Sequence, residues 1–251
     1  MSFPVRSTLL LAACISLVGT VPAAAQGLDP NPSGHEFSFA VGMQPLKTAG
    51  GNGVWVYSDP GDDYPFVLSV PSQSSAFSVS GSYAYANAMR FDAVSLEPTF
   101  DLAGIFGQSV MALKVQLGVR MKLNLGLLRP WAAAGVGLAA VSTTLATVPY
   151  GNNTGADYLI APDGSTVSAG ESVSASAVSL GGYVGAGADL AFGRRWGLRA
   201  GLSYSIYGLL NDWTANANNQ DGQSTQIGSL GNSFNVNLSG LGVMIGPYFV
   251  L

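Results

Sequence analysis

The chain has 251 residues, with 10 Lys+Arg, 14 Asp+Glu, one His and one Cys, and only 10% of it is charged against 48% hydrophobic. An average soluble domain is about a quarter charged, and disordered chains are polar and highly charged, so neither class fits. A net charge of −4 supplies no cluster of Lys/Arg for phosphates and excludes a nucleic-acid partner; 33 Gly and a mean hydropathy of +0.32 fit a protein whose solvent is partly lipid.

Residues 1–25 read as an export signal. Arg6 gives the positive start, Leu9 to Val18 a short apolar run, and Ala23-Ala24-Ala25 the small-residue cleavage pattern, with Gln26 as the expected first mature residue. The apolar run is too short to span a bilayer, which takes about 20 residues. Leu11-Ala12-Ala13-Cys14 also has the form of a lipoprotein box, but the residues after Cys14 stay apolar where a polar tether is usual. Cleavage after Ala25 removes Arg6 and Cys14, leaving nine basic and 14 acidic residues and no thiol, hence neither a disulfide framework nor cysteine chemistry.

Beyond residue 25 the longest uncharged apolar stretch runs from Pro130 to Val141, too short for a spanning helix. The dominant period is two, the mark of segments of about ten residues in a transmembrane β-barrel. The first segment, His35 to Leu46, sets Phe37, Phe39, Val41 and Met43 against Glu36, Ser38, Ala40, Gly42 and Gln44. The second, Ala76 to Met89, alternates Phe77, Val79, Tyr83 and Tyr85 with Ser and Ala. The third, Asp92 to Leu102, sets Val94, Leu96, Pro98, Phe100 and Leu102 against Ser95, Glu97, Thr99 and Asp101. The fourth, Val110 to Lys122, has the cleanest pattern, with Met111, Leu113, Val115, Leu117, Val119 and Met121 against Lys114, Gln116, Gly118, Arg120 and Lys122. The fifth, Trp131 to Ser142, is small and apolar on both faces, so its facing is open. The sixth, Ala177 to Phe192, alternates Val178, Leu180, Val184, Ala186, Ala188 and Leu190 with Ser179, Tyr183, Gly185 and Asp189. The seventh, Trp196 to Tyr207, sets Leu198, Ala200, Leu202, Tyr204 and Ile206 against Arg199, Ser203 and Ser205. The eighth, Phe234 to Leu251, carries Leu241, Val243, Ile245, Pro247, Phe249 and Leu251 on one face.

Connections support a count of eight. Long polar segments at 47–75, 143–175 and 211–232 fall on one side, and short ones near 90–91, 123–130 and 193–195 on the other. That is the asymmetry of barrels with short periplasmic turns and long outer loops; only 103–109 is a short connection on the long side. Pairing positions that sum to 388 sets Leu190 beside Leu198 and Asp189 beside Arg199 around the turn Gly193-Arg194-Arg195. Pairing at a sum of 211 sets Leu96 beside Val115 and Glu97 beside Lys114. Both registers place opposite charges side by side. The expected fold is an all-β, eight-stranded antiparallel transmembrane barrel over residues 26–251.

Pro130-Trp131-Ala132-Ala133-Ala134-Gly135-Val136-Gly137 resembles the Pro-aromatic-x-x-x-Gly-x-Gly strand of small Gram-negative outer-membrane β-barrel proteins, the eight-stranded OmpA/OmpW-like superfamily. Gly185-Ala186-Gly187-Ala188-Asp189-Leu190, a short turn and Leu198 to Tyr204 resemble the hairpin that follows. The terminal strand resembles the signal read by the barrel-assembly machinery, departing from it in ending on Leu251, two residues after Phe249, and in carrying Pro247. The resemblance implies an outer-membrane barrel among lipid and lipopolysaccharide, often without an assigned activity.

An eight-stranded interior is just wide enough to be filled by side chains or to hold one small ligand. The expected interior charges are Glu36, Glu97, Asp101, Lys114, Arg120, Asp189 and Arg199. Four acids and three bases suit a mutually neutralised plug, with a narrow charge-selective conduit as the rival reading. No catalytic residue, cofactor or metal is expected. His35, the sole histidine, stands on the periplasmic side with Ser33 and Glu36 near it in sequence, whereas barrel enzymes that need a histidine base usually work at the outer rim. Asp59-Pro60-Gly61-Asp62-Asp63 reads as a β-turn, although its acids could bridge a cation to lipopolysaccharide phosphates. Asn152-Asn153-Thr154 reads as loop. Gly135, Gly137, Gly185 and Gly187 lack the strand-to-helix setting of a phosphate cradle. Trp131, Phe192, Trp196 and Phe249 are expected to form the periplasmic aromatic girdle, with Tyr83, Tyr204 and Tyr207 nearer the outer side.

Overall fold

Period-two alternation requires each strand to find partners on both edges, and the chain meets that demand by closing on itself. The computed structural model describes residues 34–49, 53–59, 62–68, 72–91, 93–147, 158–160, 166–168, 170–208, 210, 213–218, 224–231 and 235–251. In chain order the strands are β1 (Gly34–Ala49), β2 (Gly53–Asp59), β3 (Asp62–Leu68), β4 (Gln73–Ala86), β5 (Met89–Phe91), β6 (Val94–Phe106), β7 (Val110–Leu123), β8 (Leu128–Thr147), β9 (Tyr158–Ile160), β10 (Thr166–Ser168), β11 (Ser172–Ala191), β12 (Trp196–Tyr207), β13 (Trp213–Asn218), β14 (Ser224–Gly231), β15 (Asn235–Asn237) and β16 (Gly240–Val250). Eight of them, β1-β4-β6-β7-β8-β11-β12-β16, form an antiparallel ring that returns to β1, closed by the β11–β12 and β1–β16 pairings. The protein is a closed eight-stranded β-barrel.

Facing follows the predicted parity. Leu117, Val136 and Leu180 are 62–72% exposed on the outside, while Glu36, Lys114 and Arg120 are 1–3% exposed inside. The open facing of the fifth strand resolves through Arg129, Trp131, Ala139 and Val141, which are buried and therefore point inward. Asn87, with a φ of 57°, interrupts the second segment: β4 pairs Ala84 with Thr99, whereas β5 pairs Met89 with Leu96, an offset of two. Asn tolerates this left-handed backbone better than most residues.

The two expected registers fare differently. Asp189 pairs with Arg199 and Leu190 with Leu198, as the sum of 388 requires. The β6–β7 register is corrected: Glu97 pairs with Arg120 and Leu96 with Met121, while Lys114 lies beside Ala103. The strand continues past 102 to Phe106 because Ile105 is fully buried in an apolar cluster, and the connection shrinks to Gly107-Gln108-Ser109.

The long connections contain strands of their own. β2, β3, β9 and β10 form a separate four-stranded sheet that joins the first long connection to the second. β11 changes partner along its length, pairing with β12 from Gly181 to Ala191 and with β13 from Ser172 to Ser176. The outward face changes with it. Leu190 to Val178 is apolar on the outside; from Ser176 to Ser172 and from Ser142 to Thr144 the outward positions carry hydroxyls. At about 3.3 Å per residue and the usual barrel tilt, the apolar belt is roughly 30 Å tall. β8 and β11 thus extend past the belt as a polar-faced sheet.

Candidate functional site: the barrel interior

The interior has three layers. At the short-turn end lies an ionic floor. Glu36 enters from β1, Glu97 from β6, Arg120 and Lys122 from β7, Asp189 from β11 and Arg199 from β12. Arg120 meets both Glu36 and Glu97; Lys122 lies 2.9 Å from Glu36, 3.2 Å from Glu97 and 3.4 Å from Asp189; Arg199 lies 2.7 Å from both Glu36 and Asp189. Three acids and three bases are thereby neutralised, with every one of these side chains at most 5% exposed. Such a network is rigid because loss of one member strands a charge away from water. Tyr248 and Trp131 pack on it, with the Arg199 guanidinium 5.3 Å and 5.9 Å from their ring centres.

Above the floor is a cavity of about 80 Å³ with a mainly apolar surface, whose border also includes Asp101, Lys114, Gln116, Tyr183, Ser203 and Ser205. The Tyr183 hydroxyl donates to Asp101 at 2.7 Å across the interior. Glycines make that reach possible: a Cβ on Gly118 would lie 2.7 Å from the Tyr183 hydroxyl, and one on Gly135 2.6 Å from its ring. Lys114 donates to Gln44 Oε1 at 3.5 Å and Ser205 Oγ at 3.4 Å, beneath the Tyr207 ring at 4.9 Å. Gln116 donates to the Tyr207 hydroxyl at 2.8 Å.

At the long-connection end the interior becomes an apolar cap. Leu46, Ile105, Val141, Val173, Trp213 and Leu238 belong to one buried cluster, and Trp213 is fully covered, its indole N–H donating to the Leu210 carbonyl at 2.7 Å. The cap unites barrel strands with β10, β13 and β15.

The structure places all seven predicted interior charges inside, but not as one network. Glu36, Glu97, Arg120, Asp189 and Arg199 meet in the floor; Asp101 and Lys114 face the cavity separately. Lys122, which alternation puts on the polar face, completes the floor. Arg129, which the sequence reading misses, is 4% exposed, pairs across the strand with Asp189 and donates to the Gly126 carbonyl at 3.1 Å.

Trp131 is corrected out of the girdle. It points inward because it shares parity with Arg129, and the space it fills is left by inward glycines: a Cβ on Gly187 or Gly201 would lie 2.6 Å or 2.5 Å from its ring. Those facing glycines are the sequence signal that could have found it. Phe192, Trp196 and Phe249 are exposed outside at the short-turn end, joined by Phe91 and Met89. Tyr204 faces outward near the other end, but Tyr207 is buried inside and Tyr83 belongs to the short-turn end.

His35 stands on the outer surface beside Tyr83, its Nδ1 at 2.8 Å from that hydroxyl, and edge-on to Tyr85. Asp59 and Asp62 pair where β2 meets β3. The cleavage pair Ala25 and Gln26, Cys14, Ser33, Pro60, Gly61 and Asn152-Asn153-Thr154 lie outside the described residues.

No family model matches the chain, and no curated protein matches it. Among solved structures it is similar to Neisserial surface protein A (12% identity, 86% of this chain and 96% of that chain, TM-score 0.42). It is also similar to the outer membrane protein OprG from Pseudomonas aeruginosa (11%, 88% and 97%, 0.42) and to a major outer membrane protein from Thermus thermophilus (11%, 86% and 99%, 0.45). The eight-stranded assignment rests on the hydrogen-bonded ring itself, not on these likenesses.

Proposed function

We propose that the protein is an integral outer-membrane barrel without catalytic role, whose filled interior serves a structural purpose and whose β-structured outer extension meets other molecules. The observation that carries this reading is inverted polarity: charges are buried inside while a continuous apolar belt faces out. In water that arrangement would leave the belt exposed and desolvate ions; in a bilayer each surface meets its proper solvent. The short turns with Phe192, Trp196 and Phe249 then lie at the periplasmic interface. The long connections lie outside, lipid and lipopolysaccharide are the lateral neighbours, and the leader and the assembly machinery account for export and insertion. The floor and the cap support a closed lumen over the rival narrow channel. Membrane fractionation should recover the protein with outer-membrane markers, and the purified barrel in planar bilayers should give no discrete conductance. Reproducible conductance steps altered by Glu97→Gln would overturn the closed-lumen reading; recovery in a soluble fraction would overturn the membrane one.

A further inference from the structure

The inward charges of the described residues do not balance. The floor cancels three acids with three bases, which leaves Asp101 against Arg129 and Lys114. Arg129 lies beside Asp189 in the floor and carries the surplus there, while the two charges outside the floor, Lys114 and Asp101, share the cavity but do not meet. Lys114 is 2% exposed, and its ammonium meets no carboxylate among the described residues and makes only two long bonds to neutral oxygens. Asp101, two residues along the neighbouring strand from its cross-strand partner Ala103, is turned away toward Tyr183 and Thr99. An isolated buried ammonium is costly unless something neutralises it. The cavity has a surplus of donors too: Trp131 Nε1, buried in its border, has no acceptor among the described residues.

We propose that this cavity binds a small monovalent anion of halide size beside Lys114. The third ammonium hydrogen supplies charge; the Ser205 hydroxyl, which accepts from Lys114, keeps its own hydrogen to donate; the Gln44 amide, whose oxygen also accepts from Lys114, presents its NH₂. Gly242 leaves room for that amide, since a Cβ there would stand 2.8 Å from its nitrogen. A volume of about 80 Å³ holds several waters at roughly 10–15 Å³ apiece, enough for one halide with residual hydration. The anion meets the ammonium that Asp101, engaged by Tyr183, leaves unmatched, and the floor is not disturbed.

Bromide is the probe. Crystals of the folded full chain grown or soaked in sodium bromide should show an anomalous peak beside Lys114 Nζ. In lipid vesicles, resistance to denaturant should rise with the logarithm of bromide at fixed ionic strength, as for any ligand of the folded state. Lys114→Met should remove both the peak and the bromide dependence, and Ser205→Ala should weaken the dependence. Wild-type crystals without a peak at that position at high bromide would overturn the proposal whether or not the variants fold, as would an equal bromide response in Lys114→Met.

Discussion

The floor and the cap close the same tube by opposite means. The floor commits six charged side chains to mutual neutralisation within the belt, where no water replaces a lost partner. The cap is an ordinary apolar core that begins behind the upper belt, at Ala112, Ala139 and Ala177, and continues around Trp213 past the level at which the outward face turns to hydroxyls. The lesson is that in this barrel the charged part of the interior lies behind the apolar belt. Once β8 and β11 leave the belt, inward Val173, Ala175 and Ala177 and outward Ser172, Ser174 and Ser176 obey the rule for soluble sheets.

This contrast can be broken from either side. Glu36→Ala should have the largest effect, since Glu36 serves Arg120, Lys122 and Arg199; a loss of about 3–5 kcal/mol is expected for breaking a buried network, measured by reversible unfolding in lipid vesicles. Trp213→Ala should cost about 3–4 kcal/mol in the cap, but locally: protease sensitivity of the β13–β14 region should rise while the barrel keeps its folded mobility on gels. Global unfolding of this variant would show that the two layers are one cooperative unit. Leu117→Arg, mid-belt and outward, should cost about 2–4 kcal/mol and Thr144→Arg, above the belt, about 0–1 kcal/mol; equal costs would put the belt's edge elsewhere. Smallest is the coupling within the floor. Asp189→Asn and Arg199→Gln combined should lose less than the sum of the two single changes, by roughly 0.5–3 kcal/mol in a double-mutant cycle, and strict additivity would deny their contact.

Facing is legible in the sequence because alternation fixes parity, and parity survives an even slip in register. That is why Glu97 and Lys114 are both rightly turned inward although their expected pairing is wrong: a sum of 211 and the observed 217 differ by six. The true register depends on Ile105 and Val110 burying together in the cap, a contact that neither strand announces alone. The β11–β12 register is readable because its short turn leaves little freedom. Trp131 misleads because a tryptophan near a turn has the same local pattern whether it anchors in lipid or fills a lumen. Ser172-Val173-Ser174-Ala175 passes for loop, since its outward face is polar; its alternation is the signal of a strand that continues past the apolar belt. Lys114 can be placed but not partnered, because pairing requires knowing which side chains cross the interior.

The floor also constrains how the protein can be made. Glu36 and Arg199 meet across 163 residues of chain, and Glu36 and Arg120 across 84, so the hairpins that pair Asp189 with Arg199 and Glu97 with Arg120 still leave Glu36 without its partners. The entropy of so long a loop is lost before its end contacts form, which makes such contacts slow. Arg120 and Lys122 arrive on one strand with Glu97 as their only nearby acid among the floor residues, and they wait for the first strand to come round. The last of the charge neutralisation, through Glu36, therefore waits for ring closure, late in folding, and a sheet without β1 in place keeps unpaired charge that disfavours its release into lipid.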